Sequence, residues 1–226
     1  MRNKRMSEAE AQQPAATEAD APKMLDIFGQ LDGRLQTAYE GGVSVPFKTL
    51  YINGEVSDET NRQVMAAQSV FQTIDGPVTV WVNSPGGSAS QGFSIYELLR
   101  YGNKEVVTIG TGEVYSIAAL ILQAGTTRYL TKYSRYMIHN GTVWYGQPME
   151  VDRMPGHVRS VNLDTKTYQE ILAERSGLSM RRIKKLCEDE TFLTAEQAVS
   201  LGFADKVLDY DLARQLATSI PGISEN

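Results

Sequence analysis

Ser116, His139 and the acidic run Glu188-Asp189-Glu190 have the residue types that nucleophilic acyl chemistry needs. A hydroxyl attacks well when a base stands within hydrogen-bond reach, and the base works best when a carboxylate fixes its tautomer. Ser116 lies between a β-branched run, Val106-Val107-Thr108-Ile109, and an apolar run over residues 117–124 closed by Gly125. A strand followed by a short buried helix places Ser116 at the turn between them, where free N–H groups and the helix dipole converge. Developing negative charge on a substrate oxygen would be met there. The plainer role for Ser116 is to cap the helix.

The chain has two histidines. His139 follows Tyr136-Met137-Ile138 and so ends a strand, where sheet enzymes often hold functional groups; a structural histidine is the alternative. His157, in Pro155-Gly156-His157, reads as part of an exposed turn. The run Asn83-Ser84-Pro85-Gly86-Gly87-Ser88 joins a strand to a helix, and its glycines permit positive φ and close approach of a bound chain. It lacks the Gly-Lys-Ser/Thr ending of a phosphate loop, and an ordinary turn is its other explanation. A solvated helix end is the ordinary explanation of the acidic run; the chemical one turns a carboxylate inward to orient His139. Two histidines and one cysteine, Cys187, show no zinc-ligand spacing, so no metal or cofactor is expected.

The elements that must position these residues alternate along the chain. Strands are expected at residues 49–52, 78–82, 106–109, 128–130, 136–138 and 206–208. Helices are expected at 57–74, 91–101, 116–124, 158–187 and 194–201. That alternation predicts an α/β domain with a largely parallel sheet over residues 24–212. Residues 1–23 lack apolar periodicity and read as a disordered tail, and residues 213–226 as a C-terminal one.

Composition narrows the class. A net charge of −5 argues against nucleic acid or anionic membrane as the main partner. A single cysteine fits a reducing compartment, no apolar run is long enough to span a bilayer, and the N-terminus lacks a secretory signal. A cytoplasmic location is the expectation.

Four segments occur together: Asn83-Ser84-Pro85-Gly86-Gly87, Gly112-x-x-x-Ser116, Met137-Ile138-His139, and Phe192-Leu193-Thr194-Ala195-x-x-Ala198-x-x-x-Gly202-Phe203-x-Asp205. As a set they resemble the Clp peptidase family over about residues 25–209, with Asp26-Ile27-Phe28 and Leu50-Tyr51-Ile52 matching its opening elements. The resemblance implies a ClpP/crotonase-like fold of repeated β-β-α and βα units with a helical handle region. It implies a serine endopeptidase with nucleophile Ser116, base His139 and an oxyanion hole from Gly87 and Ile117. Peptide or unfolded protein would bind as an extended strand along Gly86 and Ser88. Stacked homo-oligomeric rings fed by an AAA+ ATPase unfoldase are also implied.

The third catalytic residue of the family is usually Asp; its place is held by Glu190, with Asp189 one position earlier as the substitute. Tyr115 stands where a small residue is usual, and Asn140-Gly141 replaces Gln-Pro. Pro148 and Pro155 interrupt the approach to the handle helix, and the apolar axial segment is not evident before Asp26. These departures are similar to those of divergent, phage-like members. Two other functions fit the same features: a Clp-like structural subunit that cuts poorly, and a crotonase-type acyl-CoA enzyme, which would use the paired N–H site without Ser116 and His139.

Overall fold

The computed structural model describes residues 42–44, 48–142 and 150–212, all within the unit Ala38–Asn226. The expected tails, residues 26–28 and Pro148 lie outside these residues. Four strands form the centre of a sheet in parallel: β2 (Thr49–Asn53), β3 (Val78–Ser84), β4 (Val106–Tyr115) and β5 (Thr127–Thr131). β1 (Val43–Ser44) adds antiparallel to β2, and β8 (Lys206–Leu208) adds parallel to β5. Helices α1 (Asp58–Phe71), α2 (Ala89–Arg100) and α3 (Ile117–Leu122) connect the successive parallel strands. This is the expected mixed α/β architecture, an eight-stranded, mostly parallel sheet.

β4 is longer than the run 106–109 suggested, and the excess matters. Its first half pairs with β5; its second half pairs with β6 (Arg135–Ile138), which pairs antiparallel with β7 (Thr191–Thr194). The division falls at a bulge where β3 advances from Val82 to Ser84 while β4 advances from Gly110 to Val114. Extra residues on one strand bend it and re-aim the chain beyond the bulge. Gly112 supplies the bend at φ 58°, and a Cβ there would sit 2.4 Å from Asn83 Oδ1. Asn83 holds the bulge, accepting from the Glu113 N–H at 3.1 Å and donating to Asn53 Oδ1 at 2.8 Å. β4 therefore leads straight into Ser116.

Helix α3 is apolar throughout and buried throughout. It ends in an αR cap at Gln123, so Gly125 is not the left-handed stop its position suggested. A Cβ on Gly125 would lie 2.3 Å from Thr108 Oγ1, so glycine serves close packing there.

Beyond β6, α4 (Met154–Ser176) and α5 (Met180–Glu188) replace the single helix expected over 158–187. Gly177 breaks them with a left-handed cap at φ 76°, and Ser179 caps α5. Pro155 does not interrupt α4. It occupies the first turn, where no intrahelical N–H is needed. His157 is accordingly an exposed residue of that helix and not of a turn. Short α6 (Ala195–Ser200) begins at a reciprocal Thr194–Gln197 capping box.

Arg128, 6% exposed, ties these parts together. Its Nη2 meets Asp205 Oδ1 at 2.6 Å, and its Nη1 donates to Gln123 Oε1 at 2.6 Å and to the carbonyls of Arg175 and Gly202 at 3.1 Å each. Arg175 in turn donates to the carbonyls of Gln123 and Gly125, at 3.0 and 2.6 Å, closing the end of α3. Among the described residues, no helix is long and apolar enough to cross a membrane.

Candidate active site

Ser116 is the N-cap of α3 by position but not by bonding: its side chain makes no capping hydrogen bond. Its Oγ lies 2.7 Å from His139 Nε2. Ser116 adopts φ 56° and ψ −125°, a left-handed backbone that costs a non-glycine residue roughly 1–3 kcal/mol. Surrounding bonds impose it. The Ser116 N–H donates to the Met137 carbonyl at 2.9 Å, and its own carbonyl accepts from the Ala119 N–H at 3.0 Å and the Tyr168 hydroxyl at 3.1 Å. β4–β6 pairing thus fixes the serine, and His139 follows immediately where β6 ends.

The glycine loop lies against them. A Cβ on Gly86 (φ 104°) would come within 2.7 Å of Ser116 Cβ and 3.2 Å of its Oγ. Gly86→Ala should therefore displace the serine. We expect loss of nearly all activity and about 1–3 kcal/mol of stability, measured by peptide turnover and urea denaturation. The neighbouring bridge to Val56 uses the Gly86 carbonyl and the Ser88 N–H, at 2.8 and 2.9 Å, which leaves the Gly87 N–H outside it. Ile117 is the first residue of α3, so its N–H has no intrahelical acceptor. Gly87 and Ile117 line one cavity of about 420 Å³ with Ser88, Ser116 and His139.

Neither carboxylate is bonded to the imidazole. Asp189, expected as the substitute acid, pairs instead with Lys185 one helical turn earlier, at 2.7 Å and in solvent. Glu190 is exposed, with φ 48°. Because Ile138 pairs with Thr191, Glu190 is the next residue across the antiparallel register from His139, yet no hydrogen bond joins their side chains. Tyr115 does not narrow the cavity. Its ring packs edge-on against Phe192 at 5.6 Å between centroids and is absent from the cavity lining. Cys187 is buried; desolvation pushes its thiol up to about 12, so it is no rival nucleophile.

The far wall was not anticipated. Val161, Asp164, Thr165 and Tyr168 face the cavity from α4, and Glu55 and Phe93 reach it from the other side. The first four fall at i, i+3, i+4 and i+7, a helical stripe visible in the sequence but indistinguishable there from core. Tyr168 is 6% exposed, and burial, first among its causes, raises its phenol well above the usual range. It is therefore a permanent donor to the Ser116 carbonyl. Tyr168→Phe should lower kcat about tenfold with KM little changed, and lower stability by about 1 kcal/mol, the worth of one hydrogen bond. Steady-state kinetics and thermal unfolding on one preparation separate the two effects.

Together these features define a mixed α/β protein whose strand-to-helix turn presents a serine hydroxyl to an imidazole. A family model described as Clp protease matches residues 45–211, most of the chain. The chain belongs to the Clp protease family, and its enzymatic class is peptidase.

Proposed function

We propose that this chain is a serine endopeptidase, the proteolytic subunit of a Clp-type self-compartmentalised protease acting on peptides and unfolded proteins in the cytoplasm. The 2.7 Å contact between Ser116 Oγ and His139 Nε2 is the observation that carries this reading. Ser116 Oγ attacks the peptide carbonyl while His139 Nε2 takes its proton. The N–H groups of Gly87 and Ile117 receive the oxyanion. His139 then protonates the departing amine, leaving an acyl-enzyme that water hydrolyses by the reverse proton route. Substrate lies extended along Gly86 and Ser88.

Glu190 is the orienting acid in this reading, since the β6–β7 register, which ends at Ile138 and Thr191, places it next to the residue paired with the neighbour of His139. Assembly into stacked rings fed by an AAA+ unfoldase belongs to this reading, and exposed apolar residues in the first turns of α4 favour the assembly. Met154 and Val158, one helical turn apart, are exposed there and give an apolar patch that a partner subunit would cover. Fluorophosphonate labelling of Ser116 together with native mass measurement tests both parts. A labelled, multimeric particle is the expected result; an unlabelled monomer overturns both.

A second reading, a Clp-like subunit that assembles but cuts poorly, is favoured because no carboxylate among the described residues is bonded to His139. Rings that never label at Ser116 would select it.

A further inference from the structure

The cavity beside Ser116 carries a charge pattern that the peptidase reading does not use. Two acidic side chains line it, Glu55 from the turn after β2 and Asp164 from α4, and among the described residues no lysine or arginine does. They stand on different walls. Glu55 passes against the glycine loop, its Cγ only 2.9 Å from where a Cβ on Gly87 would be. Asp164 precedes Thr165, whose hydroxyl accepts from the Gly141 N–H at 3.2 Å just past His139. Among the described residues, neither carboxylate has an ion pair or a side-chain hydrogen bond within the protein. Between them the lining is apolar or neutral, with Ala89, Phe93, Ile117 and Val161.

Such a lining suits one kind of side chain. A lysine or arginine can lay its methylene stem along Phe93, Ile117 and Val161 and bring its cation to the unpaired carboxylates. An aliphatic residue would fill the same space without an attraction to exposed Glu55 and half-buried Asp164, and an acidic residue would be repelled. A volume of about 420 Å³ is within the range of side-chain and small-ligand pockets.

We propose that Asp164 and Glu55 make this site selective for peptides with lysine or arginine at the residue whose carbonyl Ser116 attacks. The proposal rests on the serine-peptidase reading for its chemistry, but the preference itself is a property of the cavity. The test compares matched peptides carrying lysine, norleucine or glutamate at that residue. Norleucine has a similar stem and no charge. The expected kcat/KM ratio of lysine over norleucine is about tenfold, the scale of one partly buried charge pair, and Asp164→Asn should shrink that ratio to about threefold or less. A ratio of one or below, or one that Asp164→Asn leaves intact, overturns the proposal.

Binding separates this claim from the catalytic one. Fluorescence anisotropy with Ser116→Ala protein and the labelled lysine and norleucine peptides reports selectivity without turnover. Tighter lysine binding in a protein that never labels with fluorophosphonate sustains the pocket and removes the peptidase. Labelling with equal binding removes the pocket and keeps the peptidase.

Discussion

Ser116→Ala should lower kcat by about 10⁴- to 10⁶-fold, the range found when a nucleophile that acts jointly with its base is removed. Fluorophosphonate labelling should vanish with it. The loss is expected to be chemical, because the hydroxyl makes no helix cap and its hydrogen bond is to His139. Circular dichroism, native mass and the thermal midpoint should stay close to wild type. Alanine also inherits the left-handed φ of 56°, so a small fall in stability is allowed for. Turnover within tenfold of wild type would show that another group attacks. His139→Ala should cost a similar factor in the same assay, and the double variant little more than either alone, as expected of residues that act as a unit.

The largest stability effect should come from Arg128→Met. The substitution keeps a stem of similar shape and removes donors to Asp205, Gln123 and the carbonyls of Arg175 and Gly202. Breaking one side of a buried ion pair costs about 3–5 kcal/mol, because the other charge is left without compensation. Asp205 is partly open to solvent, its side chain 37% exposed, which places the expected loss near the lower end, about 3 kcal/mol. Urea denaturation at neutral pH measures it.

The same pair sets an acid limit. Burial pushes the Asp205 carboxyl upward, but hydrogen bonds from the Arg128 side chain and backbone, with the nearby guanidinium charges, outweigh it and hold the carboxyl below its usual value. A carboxyl depressed on folding stabilises fully above its unfolded pKa of about 4, and that stabilisation is lost as pH falls through the lower folded value. Stability should thus decline below about pH 4, and Asp205→Asn should be less stable at neutral pH with a shallower decline in acid.

Local patterning revealed most of the sheet. The alternation along β3 and the uniformly apolar α3 announced themselves because strand and buried-helix periodicities were uninterrupted. The extension of β4 to Tyr115 did not, since Gly110 and Gly112 resemble a stop. Only Asn83, distant in sequence, makes them a bulge. Pro155 misled for a related reason: a proline that ends one helix and a proline that starts another look alike without the chain before them. At the site, Ser116 and His139 were legible through their placement at element ends. The supporting contacts from Tyr168 and the cavity faces of Asp164 and Glu55 depend on how α4 and the β2 turn lie across the sheet, which no local spacing encodes.

Tyr168 belongs to the same 23-residue helix whose opening turns stand clear of the core, and its phenol is tied to the carbonyl of Ser116. One continuous rod thus runs from those exposed opening turns to the backbone on which Ser116 sits.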